Sequence, residues 1–258
     1  MVNQGSFPCD DLQYLKYLSL LGPPQCYYVI CISRKWYDFD LVSFDILIYI
    51  HHIADDDFTY WGGDLSIPSP RPIYRITDAQ PGTDAAAGAA AAFAACSNLY
   101  ASRGLSNASY VTPASLRNDS YASTLLTHAQ QLYSFAVNAT GGRRTYQTSV
   151  PQAATSYASS GYGDDLAIAA LFLSWAMGST SLYQEAEFHY SQYGLGDWTG
   201  VFNWDNKTPG LPVLFSQVSH AFPNIGGNFS TWQKAAENYL DGVINGKGSG
   251  YLTQSAAI

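Results

Sequence analysis

The hydrophobic and polar positions repeat with a helical period over most of the chain, in six separate runs. Thr83-Asp84 offers polar groups for a helix start, and Ala85 to Phe93 then continues to about Tyr100. The small residues of this run permit close approach to neighbouring helices. A second run fits Tyr121 to Asn138, with Leu125, Leu132 and Phe135 on one stripe and Gly141-Gly142 after its end. The third opens on Asp164-Asp165, whose negative charge suits a helix N-terminus, and runs to Gly178. A fourth follows at once from Ser181 to about Tyr193, so the two form an antiparallel hairpin. The fifth fits Leu211 to Phe222. The sixth fits Thr231 to Ile244, with Gly246 just past its end. Aromatic, Gly- and Pro-rich loops separate these runs. The pattern predicts an all-α fold with loops gathered at one end, and excludes a βαβ arrangement.

Residues 1–53 read differently. They hold three of the four cysteines (Cys9, Cys26, Cys31), short β-like runs such as Tyr27-Tyr28-Val29-Ile30, and no amphipathic period. They are left as an unassigned, aberrant N-terminal segment; residues 54–258 form the helical unit. No cysteine pair has C-x-x-C spacing, so zinc and redox motifs lack support. The longest apolar stretch, Tyr14 to Ile32, is broken by Gly22-Pro23-Pro24, so no membrane partner is expected.

Composition narrows the ligand. Of 258 residues only 12% are charged, about half the usual ~25%, and the net charge is -8. A phosphate backbone would be repelled, which argues against nucleic acid. Aromatic residues reach 15%, with 20 Tyr and 6 Trp. A neutral, ring-rich surface suits an uncharged polyhydroxylated ligand. Three loops join such rings to hydrogen-bonding groups: Asp57 to Asp64, Ser156 to Asp165, and Trp198 to Lys207, the last containing Phe202, Trp204 and Asp205. The chain lacks G-x-S-x-G, G-x-G-x-x-G and P-loop motifs. Of its twenty acidic residues only Glu185, Glu187 and Glu237 are glutamates, all inside predicted helices. Spacing alone identifies no carboxylate pair for glycoside hydrolysis.

The same loops carry a resemblance. Six blocks recur in order: Asp57-x-x-Tyr60-Trp61-Gly62, Pro70-Arg71-Pro72-x-Tyr74, Pro81-Gly82-Thr83-Asp84 with its alanines to Phe93, Leu126-Thr127-His128-Ala129, Ser160-Gly161-Tyr162-Gly163-Asp164-Asp165, and Phe202-x-Trp204-Asp205-Asn206-Lys207-x-x-Gly210. Together they resemble glycoside hydrolase family 9, chiefly endo-β-1,4-glucanases (cellulases). The resemblance implies a partial (α/α)6 barrel, with about six of twelve helices present. It implies inverting hydrolysis of internal β-1,4-glucosidic bonds by an Asp base, in an Asp-Ala-Gly-Asp motif, and a distant Glu acid. That motif is not found, and Asp38-Phe39-Asp40 has the wrong spacing. No catalytic residue is therefore assigned, and the chain is expected to be inactive alone. A non-catalytic β-glucan-binding protein is the alternative.

By the same resemblance Tyr60, Trp61, Arg71, Tyr157, Trp198 and Trp204 would border a cleft for a cellulose oligosaccharide. Ser160, Gly161, Asp164, Asp165 and Asp205 match positions that hold a structural Ca²⁺ in some relatives; otherwise Asp164 and Asp165 cap a helix. No further cofactor is implied. Five Asn-x-Ser/Thr sequons, at Asn107, Asn118, Asn138, Asn206 and Asn228, exceed the roughly two expected by chance. With the resemblance they suggest an extracellular glycoprotein, although no signal peptide is visible.

Overall fold

The computed structural model describes residues 48–51, 73–104, 117–154, 158–198 and 200–246. Among them lie six helices of eleven residues or more, close to the six runs read from the sequence. They are α1 (Thr83–Tyr100), α2 (Asp119–Asn138), α4 (Gly163–Met177), α5 (Thr180–Gln192), α6 (Leu211–Ala221) and α7 (Phe229–Ile244), with a short α3 (Tyr146–Ser149). A small antiparallel sheet pairs β1 (Ile48–His51) with β2 (Ile73–Ile76), Ile48 opposite Ile76 and His51 opposite Ile73. The periodicity gave no sign of this pair, because four-residue strands are too short for alternation to stand out.

The helices pair as three hairpins, α1 with α2, α4 with α5, and α6 with α7. Burial separates an inner from an outer layer. In α4 the apolar residues face all round, and Leu166, Ala167, Ala169, Ala170, Leu171 and Leu173 are all buried. A helix buried on all sides needs neighbours on all sides. α1 is buried likewise, and its alanines allow α4 to approach closely enough for Asn98 Nδ2 to reach the Phe172 carbonyl at 3.5 Å. α2, α5 and α7 instead bury one stripe each; in α2 it is Leu125, Ala129, Leu132 and Ala136. Removing one inner leucine, as in Leu171→Ala, costs about 2–5 kcal/mol in such a core.

The caps follow simple chemistry. Asn118, Ser179 and Asn228 each accept the backbone N–H three residues on and start α2, α5 and α7. Gly178 ends α4 in the left-handed region at φ 62°, open to glycine without a Cβ penalty, and turns the chain into α5. An aromatic knot ties the third hairpin to the second. Phe215 stacks on Trp232 at 4.0 Å, Tyr190 meets Trp232 edge-on at 5.0 Å, and Trp232 Nε1 donates to Glu187 Oε1 at 3.0 Å. Between the outer helices α2 and α5, buried His189 places Nε2 3.1 Å from Tyr133 OH and 3.7 Å from Glu185 Oε1.

Two capping expectations do not hold. Gly82 is the α1 cap residue, and no side chain closes that end. Thr83 Oγ1 accepts the Arg144 N–H at 3.1 Å and Asp84 Oδ1 accepts the Tyr146 N–H at 2.8 Å. The pair therefore holds the segment that enters α3. At α4 the cap residue is Tyr162, again without a side-chain cap, and Asp164 is drawn instead to the loop before α6.

Candidate functional site

The inner helices run parallel, so the start of α1, the start of α4 and the loop before α6 meet at one end. That loop, 200–210, is fixed by its own amides. Asn203 Oδ1 accepts the Asp205 and Asn206 N–H groups at 2.9 Å each, and Asn206 Oδ1 accepts the Thr208 N–H at 3.0 Å. Asp205 Oδ1 then accepts the Ser160 N–H at 2.9 Å and joins this loop to the one before α4. Asp164 Oδ2 accepts the Lys207 N–H at 2.7 Å. Lys207 Nζ reaches Asp165 Oδ1 at 3.0 Å. Gly163 packs under the Tyr193 ring so closely that a Cβ would lie 2.5 Å from it.

Electrostatics at this corner follow from burial. Asp84, Asp164 and Asp165 are all buried. Loss of water pushes the Asp84 carboxyl up to about 6, against the hydrogen bonds from Ala85 and Tyr146. Loss of water pushes Asp165 up to about 7; the Lys207 ammonium opposes the rise, while Asp164 and Asp84 add to it. For Lys207, burial alone acts downward, but the charges of Asp165 and Asp164 outweigh it and hold the ammonium above its usual value. The ammonium is the resident cation of a carboxylate cluster.

Ser160, Gly161, Asp164, Asp165 and Asp205 are thus brought to one corner, but not as a calcium shell. Asp164, Asp165 and Asp205 each spend an oxygen on a donor of this chain. Ser159 Oγ donates to the Gly161 carbonyl at 2.6 Å. Among the described residues no group of three or more His, Cys, Asp or Glu side chains stands close enough to hold a metal ion. As arranged, the donor set does not fit Ca²⁺.

Of the six expected cleft residues, Tyr60, Trp61, Arg71 and Tyr157 lie outside the described residues. Trp198 and Trp204 are described, and both expose more than two-fifths of their surface, at 42% and 43%. Trp198 lies against Gly200, and Phe202, exposed at 56%, lies against Gly210. A Cβ at either glycine would come within 2.8 Å of the ring. Phe202 and Trp204 of this loop and Trp198 just before it are therefore exposed rings, and the carboxylate–lysine corner braces the loop. Sequence reading placed Phe202 in the loop but not in the site. It gave Lys207 and Asp84 no electrostatic role. For Lys207 the signal was one cation amid acidic loops in a charge-poor chain.

Comparison with known proteins adds a family. Residues 45–258 match the family described as Glycosyl hydrolase family 9. The chain is 30% identical over 196 residues to Endoglucanase 2 of Arabidopsis thaliana, covering 73% of this chain and 34% of that protein. It is 31% identical over 195 residues to an endoglucanase of Dictyostelium discoideum, covering 70% and 25%. The solved endoglucanase of the termite Nasutitermes takasagoensis superposes with a TM-score of 0.63 at 31% identity, covering 77% of this chain and 40% of that one. The cellulase Cel9M of C. cellulolyticum, solved in complex with cellobiose, shares the fold with a TM-score of 0.55 at 19% identity, covering 78% and 41%. The chain spans about a third of the length of the first of these relatives.

Proposed function

The chain belongs to glycosyl hydrolase family 9, and from that premise we propose that its loop end holds a β-1,4-glucan chain, cellulose or its oligosaccharides, as one part of an endoglucanase site acting outside the cell. The observation that carries this reading is the exposure of three rings, Phe202 and Trp204 on the braced loop and Trp198 just before it. A pyranose presents apolar C–H faces that stack on rings, while its equatorial hydroxyls take polar partners. Exposed rings on a loose loop would lose entropy on binding; here the bonds from Asn203, Asn206, Asp205 and Lys207 fix the loop beforehand.

The reaction assigned to the whole protein is hydrolysis of internal β-1,4-glucosidic bonds. This chain's residues are given binding and positioning roles, and none the acid or base role. The carboxyls best placed at the corner, Asp164 and Asp165, are buried and committed to Lys207, so they brace the loop. Calcium has no part in this scheme, since Lys207 supplies the positive charge.

Sedimentation with insoluble cellulose tests the proposal. Trp204→Ala and Trp198→Ala should each weaken retention about tenfold, the equivalent of about 1.4 kcal/mol. Equal retention of wild type and both variants would end the glucan reading. Turnover of carboxymethyl cellulose by the isolated chain would return a catalytic role to its own carboxylates.

A further inference from the structure

Five Asn-x-Ser/Thr signals along the chain share one pattern, yet the fold treats those it describes differently. Asn118, Asn138 and Asn228 are exposed on the outer helices, at the start of α2, the end of α2 and the start of α7. Asn206 is buried at 8% exposure in the braced loop, and the Thr208 of its signal is buried at 3%. Asn107 lies outside the described residues.

We propose that Asn118, Asn138 and Asn228 are N-glycosylation sites and that Asn206 carries no glycan in the folded chain. In the transfer, the C1–O bond of a lipid-linked oligosaccharide pyrophosphate breaks and a C1–Nδ2 bond forms. The amide loses one proton and the lipid pyrophosphate leaves. Only Nδ2 is consumed, which makes the two cap positions compatible with a glycan. Asn118 Oδ1 accepts the Tyr121 N–H at 2.9 Å and Asn228 Oδ1 accepts the Thr231 N–H at 3.1 Å. A glycosylated asparagine keeps that oxygen, so the helix start survives. Asn138 Nδ2 makes a long contact of 3.4 Å with exposed Ser134 Oγ, which solvent replaces at little cost.

Asn206 differs in kind. Its Oδ1 holds the Thr208 N–H, its N–H binds Asn203 Oδ1 at 2.9 Å, and its carbonyl accepts the Asn203 N–H at 3.1 Å. Its neighbour Lys207 carries the ion pair to Asp165. A bulky hydrophilic glycan on this side chain would have to leave through the loop that positions Trp204 and Phe202. Modification there and formation of the corner are mutually exclusive. The proposal depends on entry into the secretory route and is independent of glucan binding.

The test is expression of the full chain behind a cleavable signal peptide in a eukaryotic secretory host, with one added sequon in a C-terminal tag as an internal control. Glycans are removed with peptide-N-glycosidase in H₂¹⁸O, which marks each vacated Asn as ¹⁸O-labelled Asp for mass spectrometry. The soluble chain should be marked at Asn118, Asn138 and Asn228 and unmarked at Asn206. Ser120→Ala, Thr140→Ala and Ser230→Ala should each remove one glycan while leaving the asparagine in place. Thr140 Oγ1 also bonds Asp78, so Asn138→Gln serves as the second variant at that site. Thr208→Ala should remove none. A marked Asn206 in soluble chain overturns the proposal, as do unmarked Asn118, Asn138 and Asn228 beside an occupied control sequon. If wild type is recovered only as pellet, marking is read there: a marked Asn206 with Thr208→Ala restoring solubility supports the closed site, and the three exposed sites unmarked overturns the open ones.

Discussion

The two ends of the inner helix layer are built on opposite principles. At the starts of α1 and α4, and in the loop before α6, carboxylates find donors of the chain: Asp84 takes Tyr146, Asp164 and Asp165 take Lys207, and Asp205 takes Ser160, although Thr208 Oγ1 in that loop stays buried without a partner. At the other end a groove of about 690 Å³ opens between the ends of α1, α4 and α6 and the start of α7, lined by Leu99, Phe172, Trp175 and Phe229 among others. There the indole Nε1 of Trp175 is buried without a hydrogen-bond partner. The polar end fixes directions, because each hydrogen bond tolerates a narrow range of distance and angle. The apolar end fixes only area and volume, which many side-chain arrangements satisfy. The exposed rings Trp198, Phe202 and Trp204 stand at the polar end.

That contrast breaks first at Lys207. Lys207→Met leaves two buried carboxylates without their cation, and unfolding in urea at pH 8 should show a loss of about 3–5 kcal/mol. At pH 5, where Asp165 takes up a proton, the loss should shrink.

A pH series sharpens the comparison next. Asp84 and Asp165 have raised carboxyls, at about 6 and about 7. Their contribution is fully present below the ordinary carboxylate value near 4, and is lost as pH rises through 6 to 7. Glu185 acts the other way: its hydrogen bond from His189 lowers its carboxyl, so that contribution is lost as pH falls below about 4. Tm should therefore be highest near pH 5 and fall toward pH 8. Asp84→Asn keeps the acceptor for the Tyr146 N–H and removes the titration. It should recover on the order of 2–3 kcal/mol at pH 8 and flatten the slope. An unchanged slope would refute the assignment.

The apolar end should respond less. Trp175→Phe removes an unpaired donor and keeps most of the ring, so thermal melts should show a change of less than about 1 kcal/mol and no net loss. The smallest effect is expected from chelation. With Lys207 as the resident cation, EDTA should leave Tm unchanged within error. A drop of several degrees, reversed by Ca²⁺, would mean that the cluster opens to admit the ion.

Much of the fold was legible in the sequence because it rests on local rules. The runs at Leu125–Leu132–Phe135 and Leu166–Leu173 have a helical period, and Asp164-Asp165, Gly178 and Gly246 lie where helix ends place acid and glycine. The candidate site was legible only in part. Trp198 and Trp204 stood out as rings in a polar loop, and the structure leaves both exposed. The expected calcium positions did come together, but Lys207, forty-two residues beyond Asp165, took the charge that the ion would have supplied.

The chain's own order of residues determined which segments are helical, where each stops, and which family its motifs belong to, since periodicity, capping and spacing act within a few residues. Tertiary structure alone decided the rest. It turned Thr83 and Asp84 from caps into clamps on the segment entering α3, matched Asp165 with Lys207, and hid Asn206 while leaving Asn118 and Asn228 in water. Those outcomes depend on which donors, charges and solvent arrive from distant parts of the chain, and burial sets their strength by removing the water that would otherwise compete.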